Sequence, residues 1–203
     1  MLLYYITDRK QFSGDEAEQR EQLLAKIVEA AHAGVDYIQL REKDLPSREL
    51  EQLAGMALDV VRKYGSKSRL LINSRVDVAL AVGADGVHLR SKDISPADVQ
   101  RIWRTADATT EPVIAVSCHS ESEVMAAKAA GADFVVLGPV FGKNDRTGTG
   151  LPALHAVCAL GIPVLALGGV NIENARSCLE AGAAGVAGIR VFQGSDVVKH
   201  LRS

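Results

Sequence analysis

Residues 33–40 read AGVDYIQL, and the same pattern returns as VGADGVHL at 82–89, AGADFVVL at 130–137 and AGAAGVAG at 181–188. Successive copies are offset by 49, 48 and 51 residues. In each copy an alanine-rich stretch of helical character ends at a glycine, the residue that most readily takes the left-handed conformation closing a helix. The apolar run that follows lacks polar alternation, which predicts a strand buried on both faces.

A second set of apolar runs lies about midway between these copies. It consists of LLYYI at 2–6, LLIN at 70–73, VIAVS at 113–117 and PVLAL at 163–167. Helices are predicted at 21–33, 47–63, 75–82, 96–103, 120–130, 150–160 and 171–181, with N-caps at Ser47, Ser120 and Asn171. Strands that alternate with helices indicate a parallel sheet with right-handed crossovers, and eight units close it. We therefore predict one α/β domain over 1–203, a compact (β/α)8 TIM barrel, with a doubly wound open sheet as the alternative.

Composition excludes several classes of protein. The chain has 203 residues, 47% hydrophobic and 24% charged, which is globular composition. The net charge of -2 lacks the basic excess of a nucleic-acid binder. The most apolar stretch, 162–170, is about half the length of a membrane span, and the N-terminus has neither the length nor the basic leader of a signal peptide. Three cysteines without CxxC spacing indicate reduced thiols in a cytoplasmic protein, and a homo-oligomer is compatible with this composition.

Glycines at the last two strand ends indicate an anion site. The chain reads GGVN at 168–171 and GIR at 188–190. Barrels that bind phosphate place it after strands seven and eight, where glycine admits backbone N–H groups and a helix N-terminus adds positive potential. The predicted phosphate-binding residues are Gly168, Gly169, Gly188 and Ile189. The alternative is that these glycines only make tight turns.

The segment QLREK at 39–43 carries two cations just past the second strand. Arg41 and Lys43 lie two residues apart, on the same side of an extended chain. Paired cations at a strand end suit a diphosphate or a carboxylate. In the alternative interpretation the loop is solvated and Glu42 and Asp44 neutralise both.

The histidines divide by position. His119 follows the fifth strand and is a candidate general acid or base. His88 falls within a strand and is interpreted as a hydrogen-bonded core residue, whereas His32 and His155 fall on predicted helices and are expected at the surface. No histidine–cysteine cluster has zinc spacing, and no GxSxG, Walker or Rossmann motif is present.

Taken in order, seven stretches of the chain resemble the thiamin phosphate synthase/TenI (thiamin phosphate pyrophosphorylase-like) family. They are YYITD, YIQLREK, LLINSRVDVAL, ADGVHL, AVSCHS, GPVF and LALGGVNIENA. The resemblance implies a barrel that binds a phosphorylated thiazole and has one of two activities. A synthase couples the thiazole to hydroxymethylpyrimidine diphosphate with Mg²⁺, whereas a TenI-type tautomerase aromatises thiazole carboxylate phosphate without a cofactor.

The resemblance also implies roles for individual positions. It places the pyrimidine diphosphate at Gln39, Arg41, Lys43 and Asn73, with Ser117, a candidate catalytic residue, close to the diphosphate. It places the thiazole phosphate at Gly168, Gly169 and the segment from Gly188 to Ile189. Asp93 would be a magnesium ligand in a synthase, and His119 the acid or base of a tautomerase. The loop after strand six would bring Lys143 and Arg146 to the substrates.

This chain departs from the synthase pattern on the pyrimidine side. Ser74 stands where synthases carry a second magnesium carboxylate, and Arg90 replaces a small glycine. Residues 143–146 read KNDR in place of T-x-T-K, which leaves open whether Asp145 supplies the lost carboxylate. These departures favour the tautomerase. A synthase and a non-catalytic regulator that binds thiamin phosphates are the alternatives.

Overall fold

The computed structural model describes residues 1–64, 67–142, 147–194 and 196–202, and it confirms the predicted closed barrel. Eight parallel strands are ordered β1 to β8 around it, and β8 pairs with β1. The strands are β1 Leu2–Ile6, β2 Tyr37–Leu40, β3 Arg69–Asn73, β4 Gly86–Leu89, β5 Val113–Cys118, β6 Phe134–Leu137, β7 Val164–Ala166 and β8 Gly185–Gly188. The helices are α1 Glu16–His32, α2 Ser47–Tyr64, α3 Val76–Val82, α4 Pro96–Thr105, α5 Glu121–Ala129, α6 Gly150–Cys158, α7 Ala175–Glu180 and α8 Val197–Arg202. Short 3-10 helices lie at Arg9–Gln11 and Arg190–Gln193.

The glycine found in all four repeats, and the aspartate found two residues later in the first three, both have a structural reason. The glycines of the four copies take positive φ angles of 84°, 70°, 87° and 98°, as predicted for helix ends. In the first three copies the aspartate accepts a hydrogen bond from a backbone N–H of the preceding strand. Asp36 accepts from Leu3, Asp85 from Leu70 and Asp133 from Ile114, at 2.7–2.8 Å. These three repeats therefore fasten the start of their own strand to the preceding strand, whereas the fourth has Ala184 at this position.

Two layers of apolar side chains form the core. The larger lies between the strands and the helices, and the smaller fills the barrel interior. Tyr4, Tyr37 and Phe134 pack in the interior with ring centroids 4.8–5.9 Å apart. Because large aromatic rings occupy the interior, the open space of the barrel is confined to the carboxyl ends of the strands.

The structure corrects the N-cap predicted at Ser47, although α2 does begin at residue 47, and it corrects the helix start predicted at Asn171. Ser47 is the first residue of α2 and not its N-cap, since Pro46 O accepts the first intrahelical bond, from Leu50 N–H at 3.0 Å. The helix predicted from Asn171 begins at Ala175 instead, because Asn171 and Asn174 exchange side-chain bonds to each other's N–H groups in a turn. Ser120 is confirmed as an N-cap, with its hydroxyl accepting from Glu123 N–H.

The sequence also predicted reduced cysteines and no membrane-spanning segment. All three cysteines lie within the described residues and are free thiols. Across the described ranges, no helix combines the length and apolar character that a membrane crossing requires.

Candidate active site

Two adjoining cavities open at the carboxyl ends of the strands. The first, here called the cation-lined cavity, has a volume of about 510 Å³. The second, the glycine-lined cavity, has a volume of about 610 Å³. They share His119, Leu167 and Ile189, so the two cavities adjoin at these side chains.

The structure brings the predicted site residues together in these cavities. Those that line the cation-lined cavity are Gln39, Arg41, Lys43, Asn73, Asp93, Ser117, His119 and Ile189. Those that line the glycine-lined cavity are Gly168, Gly169, Gly188, His119 and Ile189. Lys143, Asp145 and Arg146 lie outside the described residues. Every described candidate therefore lies at the mouth of the barrel, at the carboxyl ends of the strands.

Arg41 and Lys43 face the cavity because the neighbouring carboxylates have another partner. Arg9 makes ion pairs with Glu42 at 3.0 Å and with Asp44 at 2.7 Å. Within the described part of the chain, no ion pair includes Arg41 or Lys43. The positive charge of Arg41, followed by partial desolvation and the charge of Arg90, lowers the pKa of Lys43. Glu42 and Asp44 therefore do not neutralise Arg41 and Lys43, as the alternative supposed, although Lys43 and Asp44 are exposed to solvent.

A directional chain of hydrogen bonds reaches Ser117 from inside the barrel. Gln39 Nε2 donates to the Tyr4 hydroxyl at 3.1 Å, and that hydroxyl lies 3.0 Å from His88 Nδ1. A buried phenol needs an acceptor for its hydrogen, so Tyr4 donates to Nδ1 and the neutral imidazole carries its proton on Nε2. His88 Nε2 then donates to Ser117 Oγ at 2.6 Å, which leaves the Ser117 hydrogen for a ligand.

His88 is buried as predicted, but it also holds a site residue, which sequence reasoning missed. No local pattern reveals this role, because its partners come from other strands. Burial, reinforced by the charge of Arg41, lowers the pKa of His88 to about 3. The imidazole therefore stays neutral near physiological pH and keeps its donor at Nε2.

The depressed pKa of His88 predicts an acid-sensitive fold. The unfolded chain takes up a proton at His88 below about pH 6.5, whereas the folded chain does not do so until about pH 3. The contribution of His88 to the free energy of unfolding is thus fully present above about pH 6.5. It declines as the pH falls, by up to about 1.4 kcal/mol per pH unit. Urea unfolding of the wild type should show a loss of about 1–2 kcal/mol between pH 6.5 and 5.

The matched variants for this prediction are His88→Gln and His32→Gln. The first removes the titrating group while keeping an amide that can donate and accept, so the loss between pH 6.5 and 5 should shrink markedly. The second changes an exposed histidine on α1 and should keep the wild-type slope. Equal slopes in wild type and His88→Gln would show that His88 does not control this sensitivity.

The glycine-lined cavity offers backbone donors. Among the described residues, none accepts a hydrogen bond from the N–H groups of Gly169, Val170 or Ile189. Gly168 and Gly169 have φ angles of 91° and 67°. A Cβ added there would lie 2.6 Å from Pro139 Cα or 2.7 Å from Phe141 Cβ. The positive φ angles and the close packing therefore require glycine at both positions.

One part of the phosphate prediction was wrong. It placed a helix N-terminus directly after GGVN, but α7 has only six residues and starts at Ala175, beyond a turn. The free N–H groups of the turn and the side chain of Arg190, which also lines this cavity, are the sources of positive potential there.

His119 lies at the boundary of the two cavities. Its Nδ1 is hydrogen-bonded to the Gly138 carbonyl oxygen, and because a carbonyl only accepts, Nδ1 carries a proton. The neutral ring then presents a basic Nε2. Glu123 accepts from the His119 backbone N–H and fixes the start of the loop. The arrangement leaves one nitrogen for an exchangeable proton of a ligand.

The donor set around Asp93 does not fit a magnesium site. Ser74 Oγ donates to Asp93 Oδ2 at 2.6 Å, and Arg90 Nη2 donates to Oδ1 at 2.9 Å. Burial opposes ionisation, but these donors outweigh it and lower the pKa of Asp93. Within the ranges that the structure describes, no group of three or more acidic, histidine or cysteine side chains could hold a metal. Both oxygens of this carboxylate are thus already satisfied by protein donors.

The fold and this site define a (β/α)8-barrel protein whose candidate active site lies at the carboxyl ends of its strands. The sequence profile of the thiamine monophosphate synthase family matches residues 3–192. The chain belongs to this family of thiamin-biosynthesis enzymes.

Individual relatives agree with this assignment. A provisional thiamine-phosphate synthase of Geobacter sulfurreducens is 42% identical, over 91% of this chain and 83% of the relative. The thiamine-phosphate synthase of Clostridium novyi is 36% identical, over 97% of this chain and 93% of the relative. The solved thiamine phosphate pyrophosphorylase of Pyrococcus furiosus superposes with a TM-score of 0.81 at 33% identity, covering 99% and 93% of the two chains.

Proposed function

We propose that the protein is a thiamin phosphate synthase, which joins a thiazole phosphate to hydroxymethylpyrimidine diphosphate. The observation that carries this proposal is the pair of adjoining cavities that share His119, Leu167 and Ile189. A reaction between two phosphorylated substrates needs two anion-binding spaces in contact, whereas a tautomerase has a single substrate. The names of the relatives support the same choice, against the tautomerase that the departures at Ser74 and Arg90 favoured.

In this proposal the cation-lined cavity holds the pyrimidine diphosphate. Arg41 and Lys43 lack carboxylate partners among the described residues, so they are available to the diphosphate oxygens. The Ser117 hydrogen, oriented through His88, is one further donor. The glycine-lined cavity holds the thiazole phosphate on the N–H groups of Gly169, Val170 and Ile189.

The reaction follows from this placement. The thiazole nitrogen forms a bond to the methylene carbon of the pyrimidine, and the carbon–oxygen bond to diphosphate breaks with its electron pair on the leaving oxygen. Fixed positive charges stabilise the negative charge that develops there, because they need no rearrangement during the step. Leu167 and Ile189, at the shared boundary, hold the two rings side by side.

The test is a product assay with the purified full chain and both substrates. We expect one thiamin phosphate and one inorganic diphosphate per turnover. The proposal would be wrong if neither product forms, with or without Mg²⁺, while thiazole carboxylate phosphate is isomerised.

The tautomerase stays as the second candidate because of the geometry of His119. Its Nδ1 is held by Gly138, which leaves Nε2 to exchange a proton with a ring in the glycine-lined cavity. In that case His119→Gln should lower turnover by about 10² to 10⁴ while the phosphate still binds. In a synthase the same variant should retain coupling to within about tenfold, since the bond exchange itself needs no proton carrier.

A further inference from the structure

Arg90 and Asp93 form an unusual pair at the mouth of the cation-lined cavity. The Arg90 side chain is 62% exposed, whereas that of Asp93 is 12% exposed. Asp93 also accepts from the Arg90 backbone N–H at 2.8 Å and from Ser74 Oγ at 2.6 Å. The carboxylate is therefore anchored by Ser74 and the backbone, and it holds the guanidinium from one side.

Only part of the guanidinium is used by this pair. Arg90 donates to Asp93 through Nε and Nη2. No acceptor among the described residues meets Nη1. Since the planar guanidinium has five donors and its charge is permanent, the remaining N–H groups can bind an anion while Asp93 keeps its hold.

The charges around the cavity favour a polyanionic ligand. Four cationic side chains line it, from Arg41, Lys43, Arg90 and Lys92, against the single described carboxylate of Asp93. The charge of Arg41, then partial desolvation and the charge of Arg90, lower the pKa of Lys43, so Lys43 is repelled by its cationic neighbours. An anion with several charges would relieve that repulsion.

We propose that Arg90, oriented by Asp93 and Ser74, binds the diphosphate in the position where other members of the family would use a metal ion. This inference rests on the proposed function for the identity of the diphosphate. It explains two substitutions together, since Ser74 supplies a neutral donor that fastens Asp93 and Arg90 supplies the charge. Asp93 is then a positioning residue, and diphosphate binding by this chain needs no divalent cation.

The test is calorimetric titration of the full chain with inorganic diphosphate, in a chelator and again with Mg²⁺. In the wild type we expect binding in the chelator, with an affinity that Mg²⁺ improves by less than about threefold. Arg90→Gln should weaken binding in the chelator by about 10- to 100-fold, the value of a hydrogen bond to a charged group. The exposed position of Arg90 makes a loss of folding unexpected, and circular dichroism verifies this.

Arg101→Gln is the matched control. Arg101 pairs with Asp98 three residues away on α4, at 3.0 Å, but it does not line the cavity. This variant should change diphosphate affinity by less than about twofold, because exposed pairs of this kind contribute little. If Arg101→Gln lost as much diphosphate affinity as Arg90→Gln, the effect would be due to general surface charge, and the proposal would be overturned.

Ser74→Asp tests the same idea in reverse. A second carboxylate beside Asp93 would compete for the Arg90 guanidinium and add a hard oxygen ligand. Binding of diphosphate should weaken in the chelator and recover with Mg²⁺. Ser74→Asp binding that stays independent of Mg²⁺ would contradict the assignment.

Two results in the unmutated chain or in Arg90→Gln would also overturn it. One is diphosphate binding that requires Mg²⁺ in the wild type, and the other is unchanged or tighter binding by Arg90→Gln, which would mean that Arg90 obstructs the cavity. Failure of the coupling assay is a separate outcome. Metal-free diphosphate binding that is lost in Arg90→Gln, without formation of thiamin phosphate, would remove the proposed function and keep the anion site.

Discussion

Arg9→Met is expected to lower the free energy of unfolding by about 3–5 kcal/mol. The Arg9 and Glu42 side chains are only 3% and 2% exposed, and their ion pair is 3.0 Å long. Without Arg9 the Glu42 carboxylate would be buried without a counter-charge, since a methionine side chain cannot donate and only the backbone N–H of residue 9 would still do so. Thr7 would remain its one side-chain donor, at 2.6 Å.

Urea denaturation at neutral pH measures the loss of stability in Arg9→Met, and two further variants serve as controls. Arg101→Met removes a guanidinium that is 69% exposed and should cost at most about 1 kcal/mol. Arg9→Met combined with Glu42→Gln should recover part of the loss, because the uncompensated charge is gone. A cost below about 1 kcal/mol for Arg9→Met alone would show that the buried carboxylate finds another partner.

The effect of Arg9→Met should extend to the active site. Thr7 Oγ1 donates to Glu42 and accepts from the Arg41 backbone N–H at 2.9 Å, so the network fixes the backbone that carries Arg41. Loss of Arg9 would loosen this network and with it the backbone position of Arg41. Diphosphate binding should therefore weaken in Arg9→Met even at temperatures where the variant is folded.

Arg41→Gln is expected to reduce kcat/KM for the pyrimidine diphosphate by about 10² to 10³. Arg41 is half-buried at the end of β2, lines the cation-lined cavity and has no carboxylate partner among the described residues. Glutamine keeps a donor of similar reach but loses the charge and the planar fork that matches phosphate oxygens. Binding of the thiazole phosphate in the other cavity should be nearly unchanged.

Steady-state kinetics with each substrate varied in turn separates these effects. Arg69→Gln is the matched control, because Arg69 is an exposed arginine at the first residue of β3, the opposite end of the barrel. It should leave both kinetic constants within about twofold of the wild type. A loss below tenfold in Arg41→Gln, or an equal loss toward the thiazole phosphate, would contradict a specific role at the diphosphate.

The closed barrel and the location of the site were accessible from the sequence. Each repeat can be recognised from the sequence, because its helix end and its buried strand are specified by neighbouring residues within one unit. Once eight units close, the carboxyl ends of all strands must meet at one mouth. Arg41, Ser117 and His119 could therefore be assigned to one site with no knowledge of their contacts.

Only the tertiary structure decided which of these groups are available to a ligand. Glu42 lies next to Arg41 in the chain, yet it pairs with Arg9 because the start of the first loop packs against the end of β2. His88 joins Tyr4 to Ser117, and Ser74 joins Asp93, across 84, 29 and 19 residues of chain. Hydrogen-bond direction and ion pairing depend on distances of a few tenths of an ångström between different strands. A pattern along one strand carries no information on such distances, so the charge state of the site is a property of the folded barrel.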